Sequence, residues 1–470
     1  MTRKTPLSAL AEAQRLSGRC LTPRWVSSKA FRQALEETYR DSASAAAGAA
    51  EEANAGASSA DLSALADSAA AVDDLLDQRA DAPVVRLINA VLLEAIRARA
   101  SDIHIEVEEE RLVVRFRVDG LLREALTSNR ALAPQLISRI KVMGNLDIAE
   151  KRLPQDGRVS LRVAAFHLDA RISTIPAQHG ERVVMRLLDR SQTRAGIGTL
   201  GMAPATLESF TRMLRRPDGL LLVTGPTGSG KTTTLYAGLD ALNGSETNIM
   251  TIEDPIEYAI PGISQMQVNT ATDLTFARGL RAILRQDPNV IMVGEIRDGE
   301  TARIAVESAM TGHLVLSTLH TNTAIGSIAR LIDLGVERFL LAPMLRGVLA
   351  QRLVRRICPD CAGPHPLSVA EASLLQGGLS VGEKTQVGAG CDGCDGTGFR
   401  GRIALYDLVC ITPPLEQAIA QGAPENELAA LAQSDGAGLL ADGVKKVRAG
   451  LTTPQEVARV VFDVASGAGA

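Results

Sequence analysis

Gly225-Pro226-Thr227-Gly228-Ser229-Gly230-Lys231-Thr232 has the spacing G-x-x-x-x-G-K-[ST], with Thr233 directly after it. Glycines let a backbone curl until its N–H groups face one way, and a helix starting there adds its positive end. Such a loop cradles the phosphates of a nucleotide. Lys231 is expected to hold the β- and γ-phosphates, and Thr232 to ligate Mg²⁺. The apolar run Leu220–Val223 precedes the loop and a helical pattern follows, which is the context a phosphate loop needs.

Two further apolar runs end in acids. Ile249–Ile252 leads into Glu253, Asp254 and Glu257, and Val290–Val293 leads through Gly294 into Glu295. An acid at a strand end can hold Mg²⁺ directly or through water, and a second can orient or deprotonate an attacking water. Acids also end strands simply because the chain returns to solvent. Two such ends beside a phosphate loop favour chemistry. Leu314–Leu316 lies between His313 and His320, two of only six histidines. His320, at the carboxyl end, is placed either to sense phosphate or to act as a structural donor; His313 is the weaker candidate.

Cys358-Pro-Asp-Cys361 and Cys391-Asp-Gly-Cys394 are two C-x₂-C knuckles with 29 residues between them. Two thiolate pairs close a tetrahedral Zn²⁺ site and leave no open position, so the metal is read as structural. The gap exceeds the usual spacing of roughly 15–20 residues, so the intervening segment must loop out. A redox disulfide is the competing reading, and it is disfavoured in a cytosolic chain. Cys20 and Cys410 stand alone.

The elements that must position these groups follow from periodicity. Short continuous apolar runs alternating with helical patterns after residue 205 indicate a parallel sheet covered on both faces. In such sheets ligands bind beyond the carboxyl ends of the strands, where every motif above falls. Residues 80–195 read as a small α+β domain. It has a helix from Pro83, a half-buried strand at Leu112–Val118, a turn at Asp119-Gly120, and strands at Arg158–Val163, His167–Ser173 and Val183–Leu188. One helix is expected at Lys29–Tyr39. Positions 41–70 hold 14 alanines, and Asp41–Gln78 carries eight acids without Lys or Arg, the composition of a flexible acidic linker.

The chain has 470 residues, 50 basic against 54 acidic side chains, and a formal net charge of −4. That balance argues against non-specific nucleic-acid binding, and one Trp, four Tyr and eight Phe make a poor base-stacking platform. No apolar run approaches the roughly 18–20 residues of a bilayer span, and the first residues lack the apolar core of a secretory signal. A cytoplasmic location is expected.

Taken together, the motifs resemble the secretion and pilus assembly ATPases, and most closely the type II secretion ATPases. The resemblance rests on Ser101-Asp-Ile-His-Ile-Glu106, Leu153–Arg158, Asp169–Pro176, Gly180–Arg186, the phosphate loop extended to Tyr236, an Asp box at Thr251–Tyr258, a Walker B at Ile291–Asp298, a His box at Thr311–Asn322 and the tetracysteine insertion. It implies an α/β fold: a RecA-like P-loop NTPase domain over 199–470 with a zinc-binding subdomain at 355–400. A PAS-like α+β domain over 80–198 precedes it. The linker spans 41–79, and residues 1–40 are expected to be the remnant of a partner-docking domain. It further implies a homo-hexamer that uses ATP and Mg²⁺ at the cytoplasmic face of the inner membrane, moving a platform protein that builds a pseudopilus. In this family Glu257's equivalent activates water, Glu295's equivalent supports Mg²⁺, and Arg171 and Arg186 match arginines that reach the nucleotide. A type IV pilus assembly ATPase and, more remotely, an ATP-dependent nucleic-acid motor are the alternatives.

Overall fold

The computed structural model describes residues 83–163, 166–189, 196–432 and 438–462, together with Leu62. The helix expected at Lys29–Tyr39 and the acidic linker lie outside these residues. The chain divides into two units between Ser191 and Gln192.

Alternating side chains build the first unit. Its strands are β1 (Asp102–Val107), β2 (Arg111–Val118), β3 (Leu121–Asn129), β4 (Gln155–Val163), β5 (Phe166–Ala177) and β6 (Gly180–Asp189). They form one antiparallel sheet in the order β3-β2-β1-β6-β5-β4. Asp119 and Gly120 both have positive φ, 49° and 90°, and so make the tight turn joining β2 to β3. Ile103 and Ile105 of β1 pack with Val114, Phe116, Ile172 and Met185 beneath the helices Pro83–Arg97 and Ala133–Met143. Asp102, His104 and Glu106 alternate with them and point to the other face. The α+β character expected for this segment is present.

The second unit contains β7 (Gly219–Thr224), β8 (Ile249–Glu253), β9 (Ser264–Gln267), β10 (Val290–Val293), β11 (Leu314–Leu319), β12 (Leu345–Ile357), β13 (Ala362–Pro366), β14 (Lys384–Gly388) and β15 (Phe399–Cys410). Its main sheet has the order β15-β12-β7-β11-β10-β8-β9. All neighbours run parallel except β15, which is antiparallel to β12. Successive residues feed two different cores. Leu220, Leu222, Ile291, Val293 and Val315 face the helices Phe276–Ile283 and Gly299–Met310. Leu221, Val223, Val290, Met292 and Leu316 face Pro204–Leu214 and Lys231–Leu242. Burial on both faces is why these strands are continuously apolar. The strands β12 and β15 went unanticipated, because Gln351, Arg352, Arg355 and Arg356 break the apolar pattern of β12. Among the described residues no helix is long and apolar enough to cross a membrane.

A smaller core of Val354, Leu367, Leu375, Leu405, Val447 and Val457 joins the far end of β12 to the C-terminal helices. Buried Glu456 fastens this junction. It accepts from the Arg355 backbone N–H at 3.0 Å and from the Arg355 guanidinium at 2.8 Å, and Arg459 adds a 2.8 Å bond. Burial alone would raise this carboxyl, but the bonds from Arg459 and Arg355 outweigh it and hold Glu456 at about 2, below its ordinary 4.5. A depressed carboxyl contributes stability above its unfolded pKa and loses it as pH falls toward the folded value. The stability lost in Glu456→Gln should therefore be constant from neutral pH down to the ordinary glutamate range, then shrink under further acidification. Urea unfolding of both proteins at several pH values checks this; a difference that stays the same in acid contradicts it.

Candidate active site

The sheet order β7-β11-β10-β8 sets four parallel carboxyl ends side by side. The loop 225–230 leaves β7, His320 follows β11, Glu295 follows β10, and Asp254 and Glu257 follow β8. Residues up to 95 positions apart in the chain thus share one rim. The hydroxyl of Thr224 donates to the Leu319 carbonyl at 3.2 Å and accepts from the Thr321 N–H at 3.1 Å, which ties the first two ends together.

Three glycines of the loop have left-handed backbones: Gly225 at φ 149°, Gly228 at 79° and Gly230 at 88°. The helix Lys231–Leu242 then begins without a side-chain cap, so its first N–H groups keep capacity for an anion. The Ser229 hydroxyl is buried without a hydrogen-bond partner, which suits a phosphate oxygen. Lys231 is buried, and its Nζ donates to the carbonyls of Gly225 at 2.7 Å and Pro226 at 3.0 Å. Burial pushes its ammonium down to about 8; Glu295 opposes the shift and Arg352 adds to it. Thr232 and Thr233 are exposed at the start of the helix.

Glu295 is the centre of the charged groups. Its carboxylate lies 3.3 Å from His320 Nε2 and accepts from Arg297 at 2.5 Å, and Arg297 also approaches Asp254 at 3.7 Å. Burial and the Lys231 charge hold His320 below its ordinary 6.5, so at neutral pH the ring meets Glu295 uncharged. His313 sits at the opposite end of β11, where its Nδ1 is 2.9 Å from the Ser308 carbonyl, and it takes no part in this rim.

The loop carrying Glu257 is held from below. Tyr236, five residues past Lys231, donates its hydroxyl to the buried Glu253 carboxylate and accepts the Glu257 N–H at 3.3 Å. Thr251 and Gln265 complete the partners of Glu253, at 2.5 and 3.1 Å. Glu253 is thus a structural anchor, whereas Asp254 and Glu257 are the exposed acids of the box. Arg171 and Arg186 are register partners on β5 and β6 of the first unit. Arg186 donates to Asp102 at 2.9 Å, Arg171 lies 3.7 Å from Asp156, and both remain about half exposed.

Tyr236, Arg297, Gln351 and Arg352 were missed by sequence reasoning. Arg297 lies inside the Walker B segment, so its place was findable. Tyr236 closes the extended phosphate-loop motif, so its place was findable too, whereas Gln351 and Arg352 reach the phosphate loop and Asn322 from far along the chain and carry no local signal.

The four knuckle cysteines converge, with all ligand atoms within 4.8 Å of one another. Three of the six sulfur pairs stand at 3.7 to 3.9 Å, close to the edge of a tetrahedron with roughly 2.3 Å metal–sulfur bonds. The donor set fits Zn²⁺. The N–H groups of Cys391 and Gly398 point at the Cys394 sulfur and hold its thiol down at about 6. The second knuckle needs its glycines: a Cβ on Gly388 would sit 2.0 Å from the Gly398 carbonyl, and one on Gly390 2.6 Å from the Gly396 carbonyl. The 29-residue spacer folds as the β13–β14 hairpin with the helix Val369–Leu374 between its strands.

A phosphate loop, flanking acids and a histidine on adjoining ends of a parallel sheet define a P-loop ATPase. The family described as "Type II/IV secretion system protein" matches residues 77–459. Type II secretion system protein E of Pseudomonas aeruginosa is 54% identical over 454 residues, covering 97% of this chain and 90% of the relative. Type II secretion system ATPase E of Vibrio cholerae is 50% identical over 457 residues, covering 97% and 90%. Among solved structures, the pilus retraction motor PilT with bound ADP is similar at TM-score 0.54 and 26% identity, over 79% of this chain and 96% of that one. The Legionella pneumophila ATPase DotB shares the fold at TM-score 0.59 and 21% identity, over 80% and 96%. The chain belongs to the type II/IV secretion family, as a type II secretion system ATPase.

Stripping metal from the tetracysteine centre should expose backbone amides of 358–399 to exchange and leave nucleotide affinity nearly unchanged, because Glu456 and the smaller core hold β12 independently of the metal. Hydrogen exchange and nucleotide titration after chelation check this; loss of nucleotide binding would contradict the assignment.

Proposed function

We propose that the protein hydrolyses ATP to ADP and phosphate and couples this cycle to type II secretion. The observation carrying the proposal is the junction of Lys231, His320, Glu295, Arg297 and Asp254 at adjoining strand ends. Residues Gly225–Thr233 bind the triphosphate through backbone N–H groups, with Lys231 on the β- and γ-phosphates. Thr232 and Glu295 would hold Mg²⁺, which neutralises charge on the phosphate oxygens. Glu257 accepts the proton of the attacking water as oxygen attacks the terminal phosphorus and the bridging oxygen leaves with ADP. His320 orients Glu295 from the neighbouring strand. Arg171 and Arg186 supply positive charge to the nucleotide of an adjoining subunit, a contribution worth orders of magnitude in rate where it occurs. The tetracysteine Zn²⁺ is structural.

The relatives' names support a place in the type II secretion apparatus; its location at the cytoplasmic face of the inner membrane, reached through partners, is part of the proposal. The domain limits given above, the PAS-like character of residues 80–198, the homo-hexamer and the platform protein as partner belong to the same proposal. The net charge of −4 supports a motor that does not track nucleic acid.

Phosphate release with Mg²⁺ tests the chemistry. Lys231→Ala should lower turnover by at least about a hundredfold through lost phosphate contacts. Wild-type turnover in that variant overturns the phosphate-loop assignment. Glu257→Gln should slow turnover by about 10²–10⁴ while ATP affinity changes little. A parallel loss of affinity argues that Glu257 binds substrate and does not serve as the base.

A further inference from the structure

We infer that Gln351 is the positioning residue of the phosphate loop: its side-chain amide, on the strand beside the loop, sets the backbone curvature that presents N–H groups to a triphosphate. This rests on the phosphate-loop reading proposed above. β12 pairs in parallel with β7, and the last matched pair is Ala350 with Thr224. Gln351 therefore stands one residue beyond the ladder, beside Gly225. Its side chain is 2% exposed and bonds on both ends. Nε2 donates to the Ser229 carbonyl at 2.8 Å, and Oε1 accepts the Thr234 hydroxyl at 2.7 Å. One amide thus bridges the loop and the first turn of its helix, a task needing a donor and an acceptor on one planar group.

The consequence for the ligand follows from peptide planarity. In a trans peptide the carbonyl of one residue and the N–H of the next point in opposite directions. Drawing the Ser229 carbonyl out to Gln351 therefore turns the Gly230 N–H the other way, away from β12. The Ser229 hydroxyl is meanwhile left buried and without a partner. Gln351 also accounts for two glycines of the motif. A Cβ on Gly225 would lie 2.4 Å from the Gln351 carbonyl oxygen, and one on Gly230 would lie 2.8 Å from Nε2. Gly228, by contrast, has open space around it and needs only its left-handed φ. Arg352 fixes the platform: its guanidinium donates to the Gln351 carbonyl at 3.0 Å and to the Asn322 carbonyl at 2.7 Å.

The test is a double-mutant cycle on the full chain, read by ADP titration and by thermal unfolding without nucleotide. Gln351→Glu keeps the size and the Thr234 acceptor but removes the donor to Ser229. Thr234→Val removes the other half of the bridge. Gln351→Glu and Gln351→Ala should each weaken ADP binding about tenfold. Adding Thr234→Val to Gln351→Ala should cost less than the two separate losses combined, because both break one bridge. A purely structural glutamine would lower the unfolding temperature and leave the ADP dissociation constant unmoved, which overturns the inference. So does full additivity of the two losses. If Gln351→Ala does not fold, the isosteric Gln351→Glu and Thr234→Val decide alone: unchanged ADP affinity in both overturns it. Wild-type protein that binds no ADP would overturn the phosphate-loop reading itself, a distinct failure.

Discussion

A strand buried on both faces can carry polar chemistry only where it ends. Side chains of β7, β8, β10 and β11 alternate between two apolar cores, so no position along them can bear an uncompensated charge. Parallel pairing then directs all four carboxyl ends to one rim. Glycine loop, histidine and acids arrive there because the sheet leaves them nowhere else to go.

The rim is crowded with opposing charge. Lys231 is partly desolvated and satisfied by two loop carbonyls, and its ammonium is weakened by burial and by the nearby Arg352. Glu295 only partly offsets this, and a bound phosphate would add the further negative charge that favours the ammonium. Glu295 is already engaged by Arg297 and by an uncharged His320, so its carboxylate is oriented before any metal or nucleotide reaches it. Pre-orientation of this kind lowers the reorganisation needed during reaction. Tyr236 extends the same logic to the acid box, linking the helix of the phosphate loop to the backbone of Glu257.

The tetracysteine cluster and the candidate rim share one strand. β12 passes Gln351 beside the phosphate loop and ends one residue before Cys358. Between them the Arg355–Glu456 bonds and the small apolar core fix the strand, so each end has its own support.

Much of this was legible in advance, for a common reason. The phosphate loop, the acids at 257 and 295, His320 and the cysteine knuckles depend on residue types at short fixed spacing, and the apolar runs and the Asp119-Gly120 turn mark strands by local rules. What escaped reading acts at a distance. The bond from Thr234 to Gln351 spans 117 residues, and β12 hides behind its own polar positions. The chemical character of the phosphate-loop motif, the rim acids and the four cysteines was determined by the sequence itself, since it resides in functional groups. Which strand borders the phosphate loop, which carbonyl forces Gly225 and Gly230 to be glycine, and which acid anchors while another faces solvent were decided only by the tertiary structure. Those relations exist only once sheet order has brought remote segments into contact.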